Sequence, residues 1–130
     1  MVRKLSSLEE WENIILTSNT DKLESILDKD VIFYSPVVFT PQKGKDIVIQ
    51  YLSSAVKVFQ NKGFRYTNII KSNNFTCAEF EAMFGDILVN GIDIIKTKNN
   101  LIIEFKVFLR PLKGIEIVWK GMRESLKKMN

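Results

Sequence analysis

A chain of 130 residues has the length of one domain, since single hydrophobic cores typically organise about 100–200 residues. Its hydrophobic content of 45% and charged content of 26% are those of a globular protein, which excludes a disordered or fibrous chain, and no apolar run is long enough for a transmembrane helix. The 19 basic and 15 acidic residues leave a net charge of +4 with no histidine at all, which removes histidine triads, most zinc sites and the commonest general base.

The first seven residues carry no apolar stretch of the signal-peptide kind. The only cysteine, Cys77, excludes an internal disulfide and fits a reducing compartment, so a cytoplasmic location is expected, with Cys77 as a buried small side chain. The lysines are scattered. Only Lys113, Lys120, Arg123, Lys127 and Lys128 gather, and such a run reads as the solvated face of a helix. Neither a nucleic acid nor a membrane is expected as a partner. Without histidine a metal site would need clustered carboxylates, and none are suitably spaced, so no metal or cofactor is expected.

In chain order, Ser7-Leu8-Glu9-Glu10 has capping-box spacing, with Ser7 as N-cap. Leu8, Trp11, Ile14 and Ile15 then recur at helical spacing to about Thr17. A second helix is predicted from Asn19 or Thr20 to about Asp28, burying Leu23, Ile26 and Leu27. Val31 to Tyr34 reads as a short strand closed by Ser35-Pro36, and the stretch to Gly44 as irregular because of Pro36 and Pro41. From Lys45 to Gln60 the positions Val48, Tyr51, Leu52, Ala55, Val56 and Phe59 describe the longest amphipathic helix before Asn61-Lys62-Gly63 stops it. Four strands follow at about 64–71, 75–84, 87–97 and 101–110. Their connections, Ser72-Asn73-Asn74, Gly85-Asp86 and Lys98-Asn99-Asn100, are turn formers and predict antiparallel hairpins. After Arg110-Pro111 a last helix places Ile115, Val118, Trp119, Met122 and Leu126 on one side.

This order predicts an α+β fold, residues 1–130 forming a single domain: N-terminal helices packed on a curved, mostly antiparallel sheet, with a C-terminal helix. A sheet curved around helices leaves a hollow, giving a cone with a pocket. A three-residue connection after Thr97 pairs Thr97 with Leu101, and hence Asp93 with Phe105. Alternation then sets Asp93, Phe105, Val107 and Leu109 on one face. A two-residue turn at Gly85-Asp86 adds Ala78, Phe80 and Ala82 to that face and sends Glu79 and Glu81 to the other. A bulge in strand 75–84 would reverse the two sets. Asp93 is then a lone carboxyl in an apolar wall, reachable by Trp11 or a tyrosine hydroxyl.

The element order resembles the nuclear transport factor 2-like superfamily, also called SnoaL-like or ketosteroid-isomerase-like, over nearly the whole chain. The segments that carry the resemblance are Asp30 to Pro36 before Gly44, Gly91 to Ile95 before Asn99-Asn100, and Val107 to Leu112. The last is similar to bacterial members of unassigned activity. The resemblance places Asp93 where ketosteroid isomerases keep a protonated aspartic acid that donates to the reacting oxygen, a role that an apolar site favours by raising a carboxyl pKa. It places Ser35 where their catalytic base stands, and Ser35 cannot accept a proton at neutral pH. It places Trp11 at their oxyanion tyrosine. The epoxide hydrolases of the superfamily need an arginine and two aspartates. Here Glu79-Phe80-Glu81 holds a carboxylate in place of the arginine, and Val107 stands near the second aspartate.

The reading that follows is a binding protein for a small, mostly apolar molecule, with Trp11, Phe33, Ser35, Tyr51, Phe59, Phe80, Asp93, Phe105 and Val107 around the pocket. The alternative is an enzyme of isomerase, cyclase or hydrolase type using Asp93 as acid or base on a carbonyl-type substrate. A third, an interaction module, follows if Trp11, Phe33, Phe59 and Phe105 fill the hollow. A homodimer is expected through the outer sheet face, where Ile94, Ile103 and Phe108 stand among charges.

Overall fold

The computed structural model describes residues 5–129. Its helices are α1 (Ser7–Thr17), α2 (Lys45–Phe59) and α3 (Leu112–Lys128). Its strands are β1 (Leu27–Tyr34), β2 (Gln42–Lys43), β3 (Arg65–Ser72), β4 (Phe75–Phe84), β5 (Ile87–Lys98) and β6 (Leu101–Arg110). They form one curved, unclosed sheet in the order β2-β1-β6-β5-β4-β3, with β1 and β6 parallel and the other neighbours antiparallel. The fold is α+β, as its element order requires.

Local chemistry explains the elements and two departures from expectation. The N-cap of α1 is Ser6 rather than Ser7: Ser6 Oγ accepts from the Glu9 amide at 3.1 Å, and Glu9 Oε1 accepts from the Ser6 amide at 3.2 Å. The sequence satisfies the capping pattern in both registers, and the earlier one frees the Ser7 amide to donate to Asn100 Oδ1 at 2.8 Å. No helix spans Asn19 to Asp28. A turn and one 3₁₀ turn at Glu24–Ile26 stand there, and Leu27 already belongs to β1. Short polar side chains compete with the helical backbone: Asn19 Oδ1 accepts from the Asp21 amide at 3.0 Å, and Ser25 Oγ donates to the Lys22 carbonyl at 2.7 Å. Leu23, Ile26 and Leu27 are buried regardless.

The turns set the register. Asn99 and Asn100, with φ of 53° and 60°, make a two-residue turn with both residues left-handed, so Lys98 pairs with Leu101. This corrects the three-residue connection and the pairing of Asp93 with Phe105. Lys96 pairs with Glu104 and Thr97 with Ile102, leaving Ile103 as one extra residue in β6, and Asp93 lies opposite Val107. The shorter turn and the extra residue each move the register by one in the same sense, and a shift of two leaves the faces unchanged. Asp93, Phe105, Val107 and Leu109 therefore still share a face.

Strand β4 runs without a bulge from Phe75, opposite Lys96, to Phe84, opposite Ile87. Ala78, Phe80 and Ala82 face inward, while Glu79 and Glu81 face outward. Glu79 accepts from Asn68 and Asn90, each at 3.0 Å, and Glu81 bonds Arg65. The inner face packs under the helices, and α3 approaches α2 closely where Gly121 lies against Val58. The outer face carries exposed Ile70, Phe75, Leu88 and Phe108 beside the Lys96–Glu104 ion pair. Cys77 stands on this outer face, opposite Ile94, and is half-buried rather than buried.

Candidate functional site

A cavity of about 50 Å³, taken as the room open to the centres of water molecules, lies between the inner sheet face and the helices. Roughly 10–15 Å³ on that measure holds one water, so the hollow is a real void that the aromatic side chains do not fill. Phe80, Asp93, Phe105, Val107 and Leu109 supply the sheet side. Trp11 and Ile15 come from α1, Ala55 and Phe59 from α2, and Val118, Trp119 and Met122 from α3. Phe33, Ser35, Pro36 and Val37 complete the wall from β1 and the loop after it, and Val37 is partly exposed to solvent.

Two sequence features keep the cavity open. A Cβ at Gly91 would lie 2.3 Å from Phe80 Cζ and 2.8 Å from Leu109 Cδ2, so only glycine lets both cavity walls lie flat across β5. The aromatic rings then brace one another. Phe64 stacks on Phe80 with centroids 5.0 Å apart, Phe59 meets Phe80 edge-on at 5.7 Å, and Trp11 meets Phe105 edge-on at 4.9 Å.

The wall is apolar except at Ser35 and Asp93. Ser35 Oγ accepts from the amides of Val37 and Val38 at 3.1 and 3.2 Å, which folds the loop over the rim. Asp93 is 4% exposed and is the only ionisable group on the wall among the described residues. Burial pushes its carboxyl up from an ordinary value of 3.8 to about 7, against the lowering effect of one hydrogen bond from Tyr66. That bond belongs to a short chain. Trp11 Nε1 donates to the Tyr66 hydroxyl at 2.8 Å, and Tyr66 donates to Asp93 Oδ2 at 2.6 Å. Burial, reinforced by the nearby Asp93 charge, holds the Tyr66 hydroxyl well above its usual range, so it stays a donor. Oδ1 has no hydrogen-bond partner among the described residues and is the oxygen left to the cavity.

Of the residues singled out from the sequence, the structure brings Trp11, Phe33, Ser35 and Phe59 to the cavity together with Phe80, Asp93, Phe105 and Val107. Tyr51 does not line it: its ring packs on Phe33, centroids 5.4 Å apart. Simple alternation misses Tyr66 for a definite reason. The turn after β3 pairs Ser72 with Phe75, and unbroken alternation from there would set Tyr66 opposite Glu81, facing outward. Thr67 is an extra residue that returns Tyr66 to the inner face opposite Phe80.

Comparison with solved structures decides the relationship. A steroid delta-isomerase from Pseudomonas aeruginosa superposes with a TM-score of 0.87 at 28% identity, over 95% of this chain and 90% of that one. An uncharacterized protein with a cystatin-like fold from Silicibacter pomeroyi gives 0.82 at 24% identity, over 91% and 83% of the two chains. A nuclear transport factor 2-like protein of unknown function from Mesorhizobium loti gives 0.72 at 11%, over 81% and 88%. This chain belongs to the nuclear transport factor 2-like, ketosteroid-isomerase-like superfamily. No protein-family model and no curated protein matches the sequence.

Within this nuclear transport factor 2-like chain the wall offers one carboxyl and one hydroxyl, and no second acid or base faces Asp93 among the described residues. Among those residues no group of three or more Cys, Asp and Glu is placed to hold a metal ion. No helix among them is long and apolar enough to cross a membrane.

Proposed function

We propose that this protein binds a small, mostly apolar molecule in the cavity, with Asp93 as the one polar anchor. A single observation supports the reading best: an open hollow whose wall is apolar but for Ser35 and a buried carboxyl with no charged partner among the described residues. Burying a carboxyl without a charged partner is costly, and such a group at a cavity wall is a mark of a ligand site. The proposal includes a cytoplasmic, single-domain homodimer, paired through Ile94 and Phe108 on the outer sheet face.

A saturable change in tryptophan fluorescence on titration with benzene tests the reading, since Trp11 and Trp119 both line the cavity and a single small ring matches room for a few waters. Ala55→Trp, which fills the wall from α2, is expected to abolish binding while the far-ultraviolet spectrum is kept. Absence of saturable binding to the parent, or undiminished binding to the filled variant, refutes it.

A second reading has its own support. The similarity to a steroid delta-isomerase and the raised pKa of Asp93 favour acid catalysis on a carbonyl compound. In that case turnover of a β,γ-unsaturated ketone disappears in Asp93→Asn. The serine at position 35 and the lack of a second carboxyl on the wall weigh for binding over turnover.

A further inference from the structure

We infer that the cavity and a polar groove between the ends of α1 and α2 form one elongated site, parted only by Ile15, Phe59 and Phe64. Its ligand is an amphiphile, with an apolar body in the cavity and an uncharged, hydroxyl-bearing head in the groove. This deepens the binding reading and rests on it.

The cavity alone, with room for a few waters, holds a single ring, and anything longer must pass a wall. The walls differ in strength. On the sheet side Phe80 and Phe105 are 2% and 1% exposed and braced by ring contacts. At the β1 rim the Val37 and Val38 amides, both donating to Ser35 Oγ, hold the loop down. The third wall is thinner. Ile15, Phe59 and Phe64 border the cavity and also line a surface groove of about 330 Å³ on the same measure. One layer of side chains therefore separates the two spaces. Phe59 is the last residue of α2 and, at 8%, the most exposed side chain of the buried core. Phe64 is half-buried and follows the left-handed Gly63, with φ of 64°. Their edge-on contact, centroids 5.5 Å apart, is the seam that a ligand chain parts.

The chemistry of the groove is the opposite of the cavity's. Ser18, Gln60 and Asn61 line it with a hydroxyl and two carboxamides, none of them bonded to another protein group among the described residues. Among those residues no charged side chain lines it. Ser18 turns left-handed, with φ of 61°, and its amide donates to the Ile14 carbonyl at 2.9 Å. The next two carbonyls of α1, those of Ile15 and Leu16, take no backbone donor among the described residues. Whatever emerges through the seam thus meets donors and acceptors but no ion. A hydroxyl matches both, whereas a charged head finds no counter-charge there. The helix sets the length of the body. Ser18 lies seven residues beyond Trp11, which meets Phe105 at the inner end, and that is about 10 Å along the axis of α1. A phenyl ring on a short alkyl chain spans it.

The test titrates the whole protein at pH 7 with benzene, 4-phenylbutan-1-ol, 4-phenylbutylamine and 4-phenylbutyrate, read by tryptophan fluorescence. The alcohol is expected to bind the parent about tenfold or more tightly than benzene, since its methylenes leave water. Gln60, exposed in the groove, reports on the head. Gln60→Glu is expected to raise the amine-to-carboxylate affinity ratio about tenfold and Gln60→Lys to lower it about tenfold. Each ligand moves about threefold, as for a surface ion pair, and is referred to benzene binding by the same variant. In about 0.1 M salt the added charge is screened over roughly 10 Å, so only a head in the groove responds. A ratio unmoved by either variant, or an alcohol no tighter than benzene, overturns the inference. So does loss of amine binding in Asp93→Asn, because the head then points inward. In each case the cavity reading stands as long as benzene binds. Failure of benzene to bind the parent overturns both.

Discussion

Replacing Asp93 with asparagine should stabilise the protein above neutral pH and leave it nearly unchanged in acid. Burial raises the carboxyl from 3.8 to about 7 in the folded chain, and the group is deep enough that solvent screening does not reduce the effect. A group whose folded pKa lies above its unfolded value binds its proton more tightly when folded, so its contribution is full below pH 4 and is lost as pH rises towards 7. The shift of about three pKa units corresponds to a loss of about 4 kcal/mol across that window, with a flat profile beyond it. Asparagine does not titrate. Its oxygen can accept from Tyr66, and its second N–H into the apolar wall costs about 1 kcal/mol relative to the neutral acid. The expected difference, variant minus parent, is thus slightly negative at pH 4 and about +3 kcal/mol at pH 8. Urea denaturation of both proteins at half-unit steps from pH 4 to 9 measures it, and titrations elsewhere in the chain cancel in the difference. A difference that does not vary with pH, or a variant weaker by about 2 kcal/mol or more at pH 8, refutes the reasoning, because either result means a carboxylate ionised and partnered in the fold.

Four further outcomes are expected. Tyr66→Phe removes the hydrogen bond that lowers the Asp93 pKa and leaves Trp11 Nε1 without its acceptor, so the carboxyl carbon of Asp93 should titrate above its parental midpoint by nuclear magnetic resonance, with a stability loss of about 1–3 kcal/mol. Gly91→Ala drives a methyl into Phe80 and Leu109 and should cost about 1–3 kcal/mol in chemical denaturation while weakening hydrocarbon binding. Ser6→Ala removes the cap of α1 and should cost about 1 kcal/mol, a loss that denaturation should not show to the same degree for Ser7→Ala if the cap is correctly placed. Sedimentation at micromolar concentration should show a dimer in the parent and a monomer in Phe108→Glu, where a charge enters the exposed apolar part of the outer sheet face.

The sequence alone determined the α+β order, the long helix α2, the final helix and the four-stranded meander, because each rests on local periodicity and on turn formers a few residues long. The same local signals misplace the cap of α1 by one residue and read a helix into Asn19 to Asp28. There, side-chain-to-backbone bonds and the pairing of Leu27 with β6 outweigh the apolar spacing. Asp93 and most of the apolar wall were legible from alternation. The inward side of β4 followed from its turn at Gly85-Asp86. What alternation could not supply was the position of a bulge, since one extra residue exchanges the two faces of everything beyond it. Ile103 in β6 adds a second one-residue shift to that of the shorter turn and keeps Val107 and Asp93 on one face, whereas Thr67 in β3 turns Tyr66 inward. That second bulge completes the chain from Trp11 to Asp93. Its partners lie 55 and 27 residues apart in sequence, and only the packed sheet and helix bring them within hydrogen-bonding distance.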